Sequence, residues 1–124
     1  MKENNKNSKK LNNIIDALSI HEDPESVKVL EEIGTNSSID AVREMTARAL
    51  VRKNREEALK VVISNKGKGI NDLSTVVAMS TINELLSLDD KNAAMKVLTE
   101  TVDSDFDDDV KDNARSVKAL MALS

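Results

Sequence analysis

Three stretches of this chain repeat one another: PESVKVLEEIG (24–34), REEALKVVISN (55–65) and KNAAMKVLTET (91–101). Aligning Val27, Leu59 and Met95 superimposes Val-Lys-Val-Leu on Leu-Lys-Val-Val and Met-Lys-Val-Leu, at periods of 32 and 36 residues. Each stretch is followed by a polar loop and a second segment of helical periodicity: AVREMTARAL, LSTVVAMSTI and VKDNARSVKAL. A unit this short cannot bury its own apolar face. Stacking against its neighbours does so, and periods of this length belong to helix-turn-helix repeats.

Composition agrees with helices. Ala, Val, Leu, Ile and Met supply nearly all the apolar mass, Phe106 is the sole aromatic residue, and there are one Pro and three Gly. Strands favour aromatic and β-branched residues and need turn-forming Gly and Pro between them. The expected fold class is all-α.

The pattern predicts a short cap helix (11–21), preceded by a disordered, mildly basic tail (1–10), and then three helix pairs over 24–53, 54–88 and 89–124. Asp23-Pro24-Glu25 reads as N-cap, first-turn proline and first-turn acid. Gly34 reads as a helix stop, and Ser37 or Ser38 as the next cap. Asn54 with Glu57 reads as a capping box. Asn71 or Asp72 would cap the fifth helix (Leu73 to about Leu88), Asp89-Asp90 would open the sixth, and Asp107 or Asp108 would cap the seventh.

In these residues the chain resembles the HEAT-like (armadillo/HEAT) family of α-solenoids. The likeness covers residues 24–124 and is clearest where PESVKVLEEIG precedes VREMTARAL. It implies a right-handed superhelix of three helix pairs with an N-terminal cap, acting as a rigid scaffold that binds protein. In some members it implies nucleic-acid contact, and in others a chaperone-like or lyase role.

Several chemistries lack their residues. No Cys is present and His21 is the single histidine, which removes thiolate sites, a His pair for zinc and cysteine nucleophiles. His21 has no nucleophile or orienting partner visible in sequence and is expected near a helix C-terminus. No cofactor or metal is expected. MKENNKNSKK lacks the apolar core of a signal peptide and no run approaches membrane-spanning length, so the expected location is cytoplasmic, with no membrane partner. The net charge of −4 and the lack of aromatic stacking platforms argue against nucleic acid as the ligand.

Two surface constellations are candidates. Arg48, Arg52 and Arg55 follow i, i+4, i+7 spacing, and Lys111, Arg115 and Lys118 repeat it. Second helices of a solenoid line its concave face, so the two triplets would flank one groove, with Thr75, Met79 and Asn83 between them. This groove would bind a protein partner or, in the alternative reading, a phosphate backbone. A solvated face, with Arg48 and Arg52 paired to Glu44 and Glu56, is the plainer account.

The second choice is the acidic loop formed by Asp103, Asp105, Phe106, Asp107, Asp108 and Asp109. Asp103, Asp105 and Asp107 match positions 1, 3 and 5 of a calcium loop. Position 6, where such a loop needs Gly, is Asp108, and position 12, where it needs Glu, is Ala114. The NKGKGIND loop (65–72) lacks the spacing of a phosphate loop. Val117, Leu120, Met121 and Leu123 cover more than one helical stripe, which points to self-association through the last helix.

Overall fold

The computed structural model describes residues 2–64 and 74–123, and its described residues form seven helices and no strand. They are α1 (Lys2–Ile20), α2 (Glu25–Asn36), α3 (Asp40–Lys53), α4 (Glu56–Ile63), α5 (Thr75–Leu86), α6 (Asn92–Val102) and α7 (Asp108–Leu123). Among the described residues no helix is long and apolar enough to cross a membrane. The expected caps Asn71 and Asp72, with Leu73 and the NKGKGIND loop, lie outside the described residues.

Each helix contributes one apolar stripe to a single aliphatic core. Ile15, Leu30, Leu59, Ile63, Val77, Leu85, Val97, Leu98 and Val117 are almost wholly removed from solvent and belong to one cluster. α3 is the most central element: it packs on α1, α2, α4 and α5. α6 packs on α4 and α7, and α5 packs on α7. The centrality of α3 is visible in its composition. Thr46, Ala47 and Ala49 are small enough for neighbours to approach from several sides, and all three are buried. Over 54–88 the described packing departs from a simple hairpin, since α4 packs chiefly on α3 and α6, and α5 on α3 and α7. With eight residues, α4 has little length to offer a partner.

The start of α2 follows the sequence. Asp23 Oδ1 accepts the Glu25 N–H at 2.9 Å, and Pro24 is already helical (φ −55°, ψ −26°). Elsewhere the ends differ. α1 takes in residues 2–10, where a tail was expected. That stretch contains neither Gly nor Pro, and extending a helix already nucleated by the packed Leu11–Ile20 turns costs little.

α2 also continues past Gly34 to Asn36. The glycine permits a close helix crossing: a Cβ there would lie 2.7 Å from Thr46 Oγ1 and 3.3 Å from Thr46 Cβ. Thr46 has little room to yield, because it is buried and its hydroxyl donates to the Arg43 carbonyl oxygen at 2.9 Å. Gly34→Ala should therefore destabilise by on the order of 1–2 kcal/mol, overpacking outweighing the helix propensity gained. Denaturant midpoints check this, and Thr46→Ala in the same chain should recover part of the loss.

Other expected caps are used differently. Ser37 Oγ accepts the Ile39 N–H at 3.1 Å, and Ile39 occupies the α3 N-cap without a side-chain bond. Asn54 is not the first residue of a capping box. It closes α3 in the left-handed region (φ 51°, ψ 43°), and its N–H donates to the Val51 carbonyl at 2.9 Å. Asn is one of the few residues that enters this region readily. At the start of α6, Asp90 Oδ1 accepts the Asn92 N–H at 3.0 Å, so the helix begins two residues past the expected Asp89-Asp90 pair. Ser74 caps α5 by accepting the Val77 N–H at 3.3 Å. Asp107 closes the first turn of α7 through its backbone carbonyl, which accepts the Lys111 N–H.

Hydrogen bonds link turns that lie about one sequence period apart. Lys53 Nζ donates to the His21 carbonyl at 2.7 Å, Arg55 Nη1 to the Glu22 carbonyl at 3.0 Å, and Asn54 Nδ2 to the Asp90 carbonyl at 2.8 Å. The partners stand 32, 33 and 36 residues apart. Two ion pairs join α4 to α6: Lys96 to Glu56 at 3.1 Å and Lys60 to Glu100 at 3.9 Å. His21 Nδ1 accepts the Asp23 N–H at 3.2 Å, and the Lys53 and Arg55 side chains bring positive charge to the carbonyls just past the C-terminal end of α1. Desolvation lowers the pKa of Lys53 from its ordinary value, and the neighbouring Arg55 charge lowers it further.

Candidate partner-binding groove

α3 and α5 lie side by side, and their outer faces enclose an open cleft of about 550 Å³. The α3 wall is built by helical periodicity. Glu44, Arg48 and Arg52 stand four residues apart and therefore share one side of the helix. Glu44 and Arg48 line the cleft. On α5, Val76, Met79 and Asn83 follow i, i+3, i+7 spacing, and Ser80, Glu84 and Ser87 also line the cleft.

Two apolar side chains stand open in this cleft: Val76 is 59% exposed and Met79 54%. Next to them Val77 is 1% exposed, so the two consecutive valines of α5 serve opposite faces. An apolar surface rimmed by polar groups is a usual mark of a contact site.

The charges on the walls are paired. Arg48 Nη1 lies 3.9 Å from Glu44 Oε1 within α3, and Arg52 Nη2 donates from α3 to Glu84 Oε1 on α5 at 3.4 Å. Exposed pairs of this kind stabilise the fold by only about 0–1 kcal/mol. The expected Arg52–Glu56 pair does not form, because Glu56 meets Lys96 on α6 instead.

Of the two basic triplets, only Arg48 is among the residues that line this cleft. Arg55 leaves the α3 face, because α3 ends at Lys53 and Arg55 has an extended backbone (φ −119°, ψ 150°) at the α4 N-cap. Its side chain holds the Glu22 carbonyl. Arg55→Ala should accordingly cost about 0.5–1 kcal/mol of stability, the usual net value of such a bond, and leave partner affinity unchanged. A denaturation curve beside a binding isotherm reads both.

On α7, Arg115 pairs with Asp112 of its own helix, while Lys111 and Lys118 are half-buried. None of the three lines the cleft. Of the six basic candidates, Arg48 lines the site and Arg52 pairs with the lining residue Glu84.

The acidic loop is a separate feature. Asp103 is the C-cap of α6, and its N–H donates to the Thr99 carbonyl at 3.1 Å. Ser104 organises the turn: its hydroxyl donates to the Thr101 carbonyl at 2.6 Å and accepts the Phe106 N–H at 3.2 Å. Asp105, Phe106, Asp107, Asp108 and Asp109 are exposed, and Asp108 and Asp109 form the first turn of α7, where negative charge complements the helix dipole. Among the described residues no group of three acidic, His or Cys side chains is arranged to hold a metal ion. At the C-terminal end Val117 and Met121 are buried in the core, whereas Leu120 and Leu123 are exposed.

Sequence reasoning passed over Val76 and Glu84, whereas the pairing of Glu44 with Arg48 was read from their i, i+4 spacing. Val76 was concealed within an apolar run, where period alone does not say which valine faces out. Glu84 meets Arg52 across 32 residues of chain, and no local spacing signals that. Comparison with known proteins finds no matching family model, no matching curated relative and no matching solved structure.

Proposed function

We propose that this chain is a non-catalytic protein-interaction module whose α3–α5 cleft holds a segment of a protein partner. Val76 and Met79 carry the proposal, because two apolar side chains more than half exposed in a cleft otherwise lined by polar residues are better explained by a partner than by folding. In this reading the helices stack as a short right-handed solenoid of the HEAT-like kind. Supporting it, α2 neighbours α4 and α4 neighbours α6, while α1, α3, α5 and α7 follow one another as neighbours. The turn-to-turn hydrogen bonds at the repeat period add to that support.

A protein ligand suits the cleft better than nucleic acid does. The cleft lining holds no aromatic side chain on which a base could stack, and Val76 and Met79 give it an apolar seat instead. The test is capture of a partner on immobilised protein, followed by measurement of its Kd against the parent chain and Met79→Glu. A partner that binds both alike contradicts the proposal.

A further inference from the structure

The four charged side chains around the cleft are unequal in what they offer an incoming partner. The Arg48 side chain is 38% exposed against 27% for Glu44, and Arg52 is 54% exposed against 22% for Glu84. In both pairs the guanidinium stands further into solvent than the carboxylate. Each contact joins a single pair of atoms at 3.9 or 3.4 Å, whereas a good arginine–carboxylate pair is bidentate at about 2.7–2.9 Å. A guanidinium has five donors in a planar fork, and these two contacts use little of that capacity.

Arg48 and Arg52 are also one helical turn apart. A ligand helix laid along α3 presents its own side chains at the same interval. Met79, an unbranched and adaptable side chain, and Val76 supply an apolar seat beside them.

From the proposed role as a protein-binding cleft, on which this step rests, we infer that the occupant is an acidic amphipathic helix. One apolar side chain seats against Val76 and Met79. An Asp or Glu about one turn away takes Arg52 from Glu84, and a second takes Arg48 from Glu44. Glu84 and Glu44 then act as internal competitors, holding the arginines in place until the partner's carboxylates displace them.

The competition gives the inference its own signature. Random helical peptides displayed on phage are selected on the full chain, and the most enriched peptide is measured by fluorescence anisotropy. Enriched sequences should carry Asp or Glu three or four positions from an apolar residue. Arg48→Gln with Arg52→Gln should weaken binding at least about tenfold. Glu84→Gln should tighten it about two- to fivefold, the reach of a surface pair. Circular dichroism confirms that each variant keeps its helices. Peptides that lose binding with Met79→Glu, yet show no acidic preference and ignore the arginine substitutions, overturn this inference and leave the cleft's role standing. Peptides indifferent to Met79→Glu, or no enrichment at all, overturn both.

Discussion

Met79→Glu should weaken partner binding by about thirtyfold, equivalent to about 2 kcal/mol, while changing folding stability by no more than about 0.5 kcal/mol. The two halves of this expectation have separate causes. Met79 is more than half exposed, so the folded chain alone loses little when a carboxylate replaces the thioether. In a complex the same position would be desolvated at the centre of the contact. A carboxylate there would have to be buried or would draw Arg48 or Arg52 away from the ligand. The comparison that matters is with Leu123→Glu, at a still more exposed apolar position on α7 outside the cleft, which should leave affinity unaltered.

The largest effect on folding is expected from Leu98→Ala, at about 2–5 kcal/mol. Leu98 is completely buried in α6, the helix that packs on both α4 and α7. Truncation there removes contacts that the aliphatic core has no bulky aromatic residue to compensate. Against a typical domain stability of about 5–15 kcal/mol, the loss is a large share. Val102→Ala, at a half-buried position one turn further along α6, should cost clearly less. Urea titrations of the three chains, followed by circular dichroism, check the order.

Helix content was legible because periodicity reports which face of an element is buried, and six helices after the first fall on the apolar-periodic segments. Boundaries were less so, and the reason is chemical. A glycine that ends a helix and one that admits a neighbouring helix look alike in sequence. At Gly34 only the distance to Thr46 separates them. Asn54 presents the same ambiguity, because asparagine is favoured both as an N-cap and in the left-handed position after a helix. Taking it as an N-cap also hid the end of α3, and with it the departure of Arg55 from the arginine face.

The candidate site was half legible for a related reason. The i, i+4 relation of Arg48 and Arg52 and the i, i+4 relation of Met79 and Asn83 are local and could be read directly. Which helix lies across from α3 is a property of packing, and so is the meeting of Arg52 with Glu84. The acidic loop attracted attention by its charge density and by a partial match to the spacing of a calcium loop. Its described role is a turn held by Ser104 and a helix start favoured by Asp108 and Asp109.

The most direct test is a nuclear magnetic resonance titration of isotopically labelled chain with the captured partner. Chemical-shift changes should centre on Glu44, Arg48, Val76, Met79 and Asn83, with Arg52 and Glu84 at their edge. Changes centred on residues 103–109, with α3 and α5 undisturbed, would contradict the account.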